Sequence, residues 1–151
     1  MGSAFSAPVI NDVSTCLEGA PSYKNSQHAP ELPENFKKAI IKHYPHLKPV
    51  VVPGGHLEDV FAAAKKATEQ LRGARIVYED EHGGVLELVD VTPLLKFKDD
   101  VVIRVQQKGG DVVVDVRSAS RLGKGDLGAN AARIAKYLAA LRALLGQSND
   151  S

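Results

Sequence analysis

The chain has 151 residues, 44% of them hydrophobic and 25% charged, a composition typical of a soluble globular protein large enough to bury a core. Its 19 Lys and Arg against 18 Asp and Glu leave a net charge of only +1, and aromatic residues make up 5%. The chain therefore lacks both the basic excess and the stacking surface of a nucleic-acid-binding protein, and nucleic acid is excluded as a partner.

No apolar run reaches the roughly 20 residues that cross a bilayer, so no transmembrane segment is expected. Cys16 is the only cysteine, which excludes an internal disulfide and fits a reducing compartment. No signal peptide is visible at the start of the chain. The compartment stays open: the cytoplasm, or a plastid or the periplasm if a targeting segment was removed.

Residues 1–49 predict an N-terminal arm with one short helix. Residues that form turns and interrupt regular structure recur in it: Pro8, Gly19, Pro21, Pro30 and Pro33. Pro33 can begin a helix in which Phe36, Ile40 and Tyr44 share one face. The residues alone leave open whether this arm folds across the rest of the protein or hangs free.

Residues 50–146 predict a single α+β domain, followed by a disordered polar tail at residues 147–151. Residues 49–53 are expected to be extended, and residues 56–72 to form a helix that ends at Gly73. Strands are expected at residues 74–81, 85–92, 99–107 and 111–118. The last helix is expected to start near Asp126, as its N-cap, and to end at about Leu145.

The two-residue turn at Gly109-Gly110 predicts the register of the last hairpin. It pairs Ile103 with Val116 and Val105 with Val114 on one face, and Arg104 with Asp115 and Val102 with Arg117 on the other. The predicted fold is therefore a four-stranded antiparallel meander with two helices packed on one face, preceded by an irregular N-terminal arm. The second face of the sheet is expected to be uncovered.

Basic and hydroxyl side chains collect between the last strand and the last helix. A helix N-terminus exposes unpaired N–H groups that favour anions, so we expect a ligand with a carboxylate or phosphate group here. The candidate ligand-binding residues are Arg117, Ser118, Ser120, Arg121, Lys124, Asn130 and Arg133. The alternative is purely structural: Asp126 caps the helix and its carboxylate pairs with Arg121 or Lys124.

Three carboxylates, Asp99, Asp100 and Asp115, are candidate acids or bases. Adjacent residues of a strand point to opposite faces, so Asp99 and Asp100 cannot easily converge on one atom. In the alternative interpretation one of them pairs with an arginine, such as Arg117, Arg121 or Arg133.

No metal site and no cofactor are predicted. His43 and His46 have a spacing that two metal ligands can use, but no further Cys, His or carboxylate cluster lies near them in the sequence. The glycines around Lys124 match neither a phosphate-binding loop nor a dinucleotide fingerprint. No serine lies in a nucleophile-elbow pattern, so no catalytic triad is indicated.

Three motifs occur in order: Phe97-Lys98-Asp99-Asp100-Val101, Asp115-Val116-Arg117-Ser118-Ala119-Ser120-Arg121, and Asp126-Leu127-Gly128-Ala129-Asn130 with Arg133-Ile134. With these motifs, residues 44–141 resemble the uncharacterised-domain family numbered 1499. The resemblance implies a small α+β domain, sometimes attached to a membrane segment and sometimes plastid-targeted, and it implies no reaction. The chain departs from that pattern at Leu94-Leu95, where bacterial relatives tend to carry a bulkier aromatic residue. A ligand shared with those relatives is therefore not implied.

Two functional hypotheses follow, and a purely structural subunit is a third possibility, favoured if the exposed sheet face is apolar and flat. The first is a non-enzymatic binding or accessory module for a small anionic ligand or a protein partner, using residues 117–130 and the sheet face that carries Arg104 and Asp115. The second is a small enzyme acting on an anionic or apolar metabolite between sheet and helices, with an Asp as acid or base. The second requires a buried pocket that contains a carboxylate of perturbed pKa.

Overall fold

The computed structural model describes residues 7–148, which form one antiparallel six-stranded sheet and three helices. The strands are β1 (Asp12–Ser14), β2 (Val50–Pro53), β3 (Ala74–Asp80), β4 (Val85–Val91), β5 (Lys98–Lys108) and β6 (Asp111–Ser120). The helices are α1 (Glu34–His43), α2 (Leu57–Ala67), which a 3-10 turn at Thr68–Gln70 continues, and α3 (Ala129–Leu144).

The four-stranded meander is confirmed, since β3, β4, β5 and β6 are neighbours in that order. The predicted register of the last hairpin is also confirmed. Ile103 pairs with Val116 and Arg104 with Asp115, on either side of a turn in which Gly109 has a φ of 58°. That left-handed backbone favours glycine because it lacks a Cβ, which is why the glycine pair fixed the register correctly.

The sheet has two more strands than expected, and both come from the region before α2. Strand β1 pairs with the C-terminal half of β6, placing Ser14 opposite Arg117. Strand β2 pairs with its N-terminal half, placing Val50 opposite Val114. These short strands satisfy the N–H and C=O groups along the outer edge of β6, which would otherwise be an open edge.

One face of the sheet packs against α2 and α3, as expected. Phe61 and Ala64 of α2 and Ile134 and Leu138 of α3 are buried in one cluster with Ile103 of the sheet. The Tyr137 hydroxyl of α3 donates to the Ala64 carbonyl of α2 at 2.7 Å, which ties the two helices together. Burial raises the pKa of this hydroxyl far above its ordinary value, so it stays protonated and serves as a donor.

The expectation that the second face is uncovered is wrong. Residues 15–30 of the N-terminal arm lie across it, and Val102, in the middle of this face, is buried. The arm also adds apolar residues to the main core, where Ile10, Val13 and Leu32 join the cluster beneath the helices. Hydrophobic periodicity missed this cover because most of the segment forms neither a helix nor a strand.

Helix α3 begins at Ala129 and not near Asp126. The two residues before it, Leu127 and Gly128, have φ values of 53° and 84°, which a right-handed helix cannot contain. At the other end of the chain, the Gln147 side chain donates to the Val51 carbonyl at 2.9 Å. The rest of the predicted tail, residues 149–151, lies outside the described residues. Between residues 7 and 148, none of the helices has the length and apolar character to cross a membrane.

Candidate functional site

Arg117 lies beneath the arm and is fully buried. Its Nε and Nη2 donate to the Asp12 carboxylate at 3.0 and 2.7 Å. Its other three N–H groups donate to the carbonyls of Pro21, Ala29 and Pro30 at 3.0, 2.7 and 3.1 Å. A guanidinium has five N–H groups, so all of them are used inside the protein. Burial disfavours the charged form, but the bonds with Asp12 outweigh it and raise the pKa of Arg117.

Asp100 ties the arm to the end of β5. Its carboxylate accepts from Arg121 at 2.9 and 2.8 Å and contacts the His28 ring at 2.8 Å. Burial by itself would raise the pKa of the Asp100 carboxyl, but the hydrogen bonds from His28 and Arg121 hold it below its ordinary value. The Tyr23 hydroxyl donates to the Asp100 carbonyl at 3.0 Å. Asp100 is therefore a paired anion that fixes the arm.

Two further carboxylates of this face are also occupied by the arm. Asp115 accepts from the Thr15 hydroxyl at 2.8 Å and contacts Arg104 at 3.4 Å. The buried Glu87 accepts two backbone N–H groups of the arm, those of residues 24 and 25, at 2.6 and 3.0 Å. The face that carries Arg104 and Asp115 is thus an internal interface and offers no free surface to a ligand.

Other residues of the three sequence motifs form a second polar cluster with Asp90, on the helix face. Arg133 of α3 donates to Asp90 at 2.6 Å and to Asp99 at 2.8 Å. It also donates to the Ser118 hydroxyl at 3.1 Å and to the Asn130 carbonyl oxygen at 2.8 Å. Ser118 and Asn130 are fully buried and share a hydrogen bond of 2.6 Å. This cluster fastens the first turns of α3 to the ends of β4, β5 and β6.

The start of α3 is already capped from within the chain. The Asp126 carboxylate accepts from the backbone N–H groups of Gly128 at 2.8 Å and Asn130 at 3.1 Å. The Asn130 side chain donates to Asp126 at 2.7 Å and to the Ser120 hydroxyl at 2.9 Å. The capping predicted in the structural alternative is therefore present, while the arginine at position 121 pairs with Asp100 and not with Asp126. A carboxylate already occupies the place that an anionic ligand would take.

The two faces explain how the predicted site residues divide. Asp99 points to the helix face and Asp100 to the arm face, as strand geometry requires. All three candidate acid–base carboxylates, Asp99, Asp100 and Asp115, are buried and paired. Arg121 and Lys124 are the exposed members of the candidate ligand-binding set. Arg121 is paired with Asp100, whereas Lys124 forms no ion pair within residues 7–148.

Lys124 belongs to a surface that we call the loop end, formed by residues 92–98, which are the β4–β5 loop and the first residue of β5, and by the β6–α3 loop (residues 121–128). A cleft of about 300 Å³ runs between the two loops. Its lining residues are Thr92, Phe97, Asp99, Ser120, Leu122, Gly123, Gly125, Asp126, Leu127 and Ala129. The Arg121 N–H donates to the Lys98 carbonyl at 3.2 Å, which joins the loops at their bases.

Exposed leucines at the loop end are the residues that sequence reasoning missed. Leu94 is 88% exposed and Leu127 is 74% exposed, and Leu95, Phe97 and Leu122 are exposed beside them. A signal was available, because an apolar run between two strands is unusual in a connection that normally consists of polar turn residues.

Metal and thiol chemistry find no support in the described part of the chain. Residues 7–148 hold no group of three or more His, Cys, Asp or Glu side chains arranged to bind a metal ion. His43 and His46 lie on either side of the Tyr44 ring, with centroid distances of 6.5 and 6.4 Å. Cys16 is a free, half-buried cysteine whose Sγ donates to the Glu18 carbonyl at 3.1 Å.

The fold and its polar clusters define an α+β protein in which an N-terminal arm and a C-terminal helix are fastened to opposite faces of one antiparallel sheet. Its residues 12–141 match the family model described as "Protein of unknown function (DUF1499)". Because the match covers most of the chain, the protein belongs to this family.

Comparisons beyond the family add little. No curated protein matches the chain. Among solved structures, the one titled "Crystal structure of Ara h 8.0201" is 10% identical and covers 66% of this chain and 96% of that chain, with a TM-score of 0.28. A similarity at that score carries no argument about fold or function.

Proposed function

We propose that this protein is a non-enzymatic binding module whose binding surface is the loop end. The observation that carries the proposal is the combination of exposed leucines with free lysines around one cleft. Five of the nine exposed large hydrophobic residues of the described part belong to the loop end: Leu94, Leu95, Phe97, Leu122 and Leu127. Exposed apolar side chains gathered in one place are typical of an interaction surface, whereas scattered ones are ordinary.

The exposed lysines around the cleft favour a ligand with an anionic group, although the cleft lining itself holds no lysine and two carboxylates, Asp126 and the Arg133-paired Asp99. Lys96, Lys98 and Lys124 are exposed there, and none of them forms an ion pair with a residue between 7 and 148. The basic residues that were first expected to bind the ligand, Arg117 and Arg133, are instead bonded to aspartates inside the protein. The ligand class that fits is an amphiphile with an apolar body and an anionic group. The cleft of about 300 Å³ lies at the lower end of the range of small-molecule sites.

The alternative of an enzyme with an aspartate acid or base has less support. It needs a carboxylate that is free to exchange a proton with a substrate. Asp99 is bonded to Arg133 and Asp115 to Arg104 and Thr15. Asp100 has a lowered pKa because of its bonds with His28 and Arg121, which makes it a weaker base.

Titration with anilinonaphthalene sulfonate, a fluorescent apolar anion, tests the proposal. The protein should bind the dye at one site, and the double variant Leu122→Ser/Leu127→Asn should weaken that binding about tenfold or more, because each buried leucine contributes on the order of 1.5–3 kcal/mol. Asparagine is chosen at position 127 because it tolerates the left-handed backbone that Leu127 adopts there.

The matched control is Ile41→Ser/Leu144→Ser, which removes two exposed apolar residues, from α1 and from the end of α3. It should leave dye affinity unchanged. Partly folded proteins also bind this dye, so each variant must retain a cooperative thermal transition. Equal affinity in both double variants would refute the loop end as the binding surface.

A further inference from the structure

The β4–β5 loop holds its apolar residues outward on a closed and hydrogen-bonded turn. The Thr92 N–H donates to the Phe97 carbonyl at 2.8 Å, and the Phe97 N–H donates to the Thr92 hydroxyl at 2.8 Å. The Lys96 N–H donates to the Thr92 carbonyl at 3.1 Å. Leu94 and Leu95 therefore project from the apex of a defined loop, with 88% and 65% of their surfaces exposed.

The backbone at the loop end adopts a conformation that L-residues disfavour. Between residues 7 and 148, only Lys96 and Leu127 combine a side chain with a positive φ, at 58° and 53°. Both lie at the loop end, one in each loop. Backbone strain of this kind gathers at functional sites, because the native structure keeps it only where something is gained. Here it presents an exposed lysine on one loop and an exposed leucine on the other.

The loop end is basic although the protein as a whole is nearly neutral. Residues 92–98 and 121–128 hold four basic residues, Lys96, Lys98, Arg121 and Lys124, and one acidic residue, Asp126, whereas the whole chain has a net charge of +1. The Asp126 carboxylate is engaged by the backbone N–H groups at the start of α3. Arg121 is committed to Asp100, so the three lysines carry the free charge. Positive charge beside protruding leucines complements a surface that is anionic outside and apolar just beneath.

We infer that the loop end docks this protein on the surface of an anionic lipid bilayer. Leu94, Leu95 and Leu127 enter the boundary between headgroups and acyl chains, and the lysines contact lipid phosphates. The apolar residues lie on two exposed loops. Such loops can insert into a deformable bilayer, whereas a protein partner would need a pocket of complementary shape. This inference rests on the proposed binding function and names the amphiphile as a lipid within a membrane.

Co-sedimentation of the full chain with lipid vesicles tests the inference. The protein should bind vesicles that contain phosphatidylglycerol and should not bind vesicles of pure phosphatidylcholine. Added salt should weaken the binding, because dissolved ions screen the attraction between the lysines and the lipid phosphates. At physiological ionic strength this attraction already extends over only about 8 Å. Replacing Lys96, Lys98 or Lys124 singly with Ser should lower the partition coefficient about fivefold each. Leu94→Ser/Leu95→Ser should lower it about tenfold or more.

Two controls are matched to these changes. Lys38→Ser removes an exposed lysine from α1, and Ile41→Ser/Leu144→Ser removes two exposed apolar residues away from the loop end. Both should sediment with anionic vesicles as the unchanged protein does. Equal losses in controls and loop-end variants would overturn the inference, as would equal binding to neutral and anionic vesicles.

The dye titration tests whether the loop end binds an apolar anion, and the vesicle assay tests whether it docks on a bilayer. Dye binding at the loop end without vesicle binding overturns the membrane inference and leaves a soluble anionic ligand or a partner protein as the occupant. Loss of both means that the binding function itself fails. Binding of both, with the same loop-end variants weakened, supports the membrane assignment.

Discussion

At the scale of single residues, Arg117 is a basic residue of the second sequence motif whose bonds hold the fold together. Every N–H group of its guanidinium is bonded to Asp12 or to a carbonyl of the arm, and its charged carbon lies 5.2 Å from the centre of the Tyr23 ring. The nearest hydrogen-bond partner of its side chain along the sequence, Pro30, is 87 residues away. The sequence identified the residue as important but could not reveal that its partners are internal.

Replacing Arg117 with Met should lower the free energy of unfolding by about 3–5 kcal/mol, because it leaves the buried Asp12 carboxylate without its counter-charge. Urea denaturation followed by circular dichroism measures the change. Arg75→Met, at an exposed position on β3, is the control and should stay within about 0.5 kcal/mol of the unchanged protein. Similar stabilities for the two variants would contradict the structural role of Arg117.

At the scale of elements, the sequence predicted those with strong periodicity or clear turn residues. Helix α2, the four meander strands and the β5–β6 register follow from such local patterns. Strand β1 has only three residues and pairs with Ala119, Ser118 and Arg117, more than 100 positions along the chain. No local pattern encodes a pairing of that kind, because short strands form only when a longer edge is there to receive them.

The segment of the arm that crosses the sheet is bonded to it by charged and polar groups, and this attachment should loosen in acid. Folding lowers the pKa of Asp100 through His28 and Arg121. A carboxyl of this kind stabilises the fold above its unfolded pKa of about 3.9, and the contribution is lost as the pH falls through that value toward the lower folded pKa. The contribution of Asp100 should therefore be fully present above about pH 4 and should be lost below it.

The variant Asp100→Asn tests this pH dependence. At neutral pH it should be less stable than the unchanged protein, and the difference in the free energy of unfolding should shrink as the pH falls below about 4. Denaturation curves at a series of pH values measure the difference. The control Glu81→Gln, at an exposed carboxylate in the β3–β4 turn, should show no such narrowing. A gap for Asp100→Asn that stays constant with pH would contradict the assignment.

At the scale of the whole molecule, the buried motif residues and the proposed binding surface lie in different places. Asp99, Asp100, Arg117, Ser118, Asn130 and Arg133 fasten the arm and α3 to opposite faces of the sheet. Their arrangement leaves one end of the sheet with two joined loops and a cleft between them. The region that the sequence indicated for a site, residues 117–130, overlaps the proposed binding surface at Lys124. Arg117 and Arg133 were expected to bind a ligand but are paired with aspartates inside the protein. A charge pattern in the sequence does not show which charges are paired within the fold.

A backbone amide NMR titration of isotope-labelled protein with anilinonaphthalene sulfonate tests the central claim most directly, since it locates the contact residue by residue. The account predicts that the chemical-shift changes occur in residues 92–98 and 121–128. The amide resonances of residues 117 and 118 on β6 and of residues 19–30 in the arm should not shift. Shifts centred on the arm or on residues 115–118, with the two loops unaffected, would contradict it.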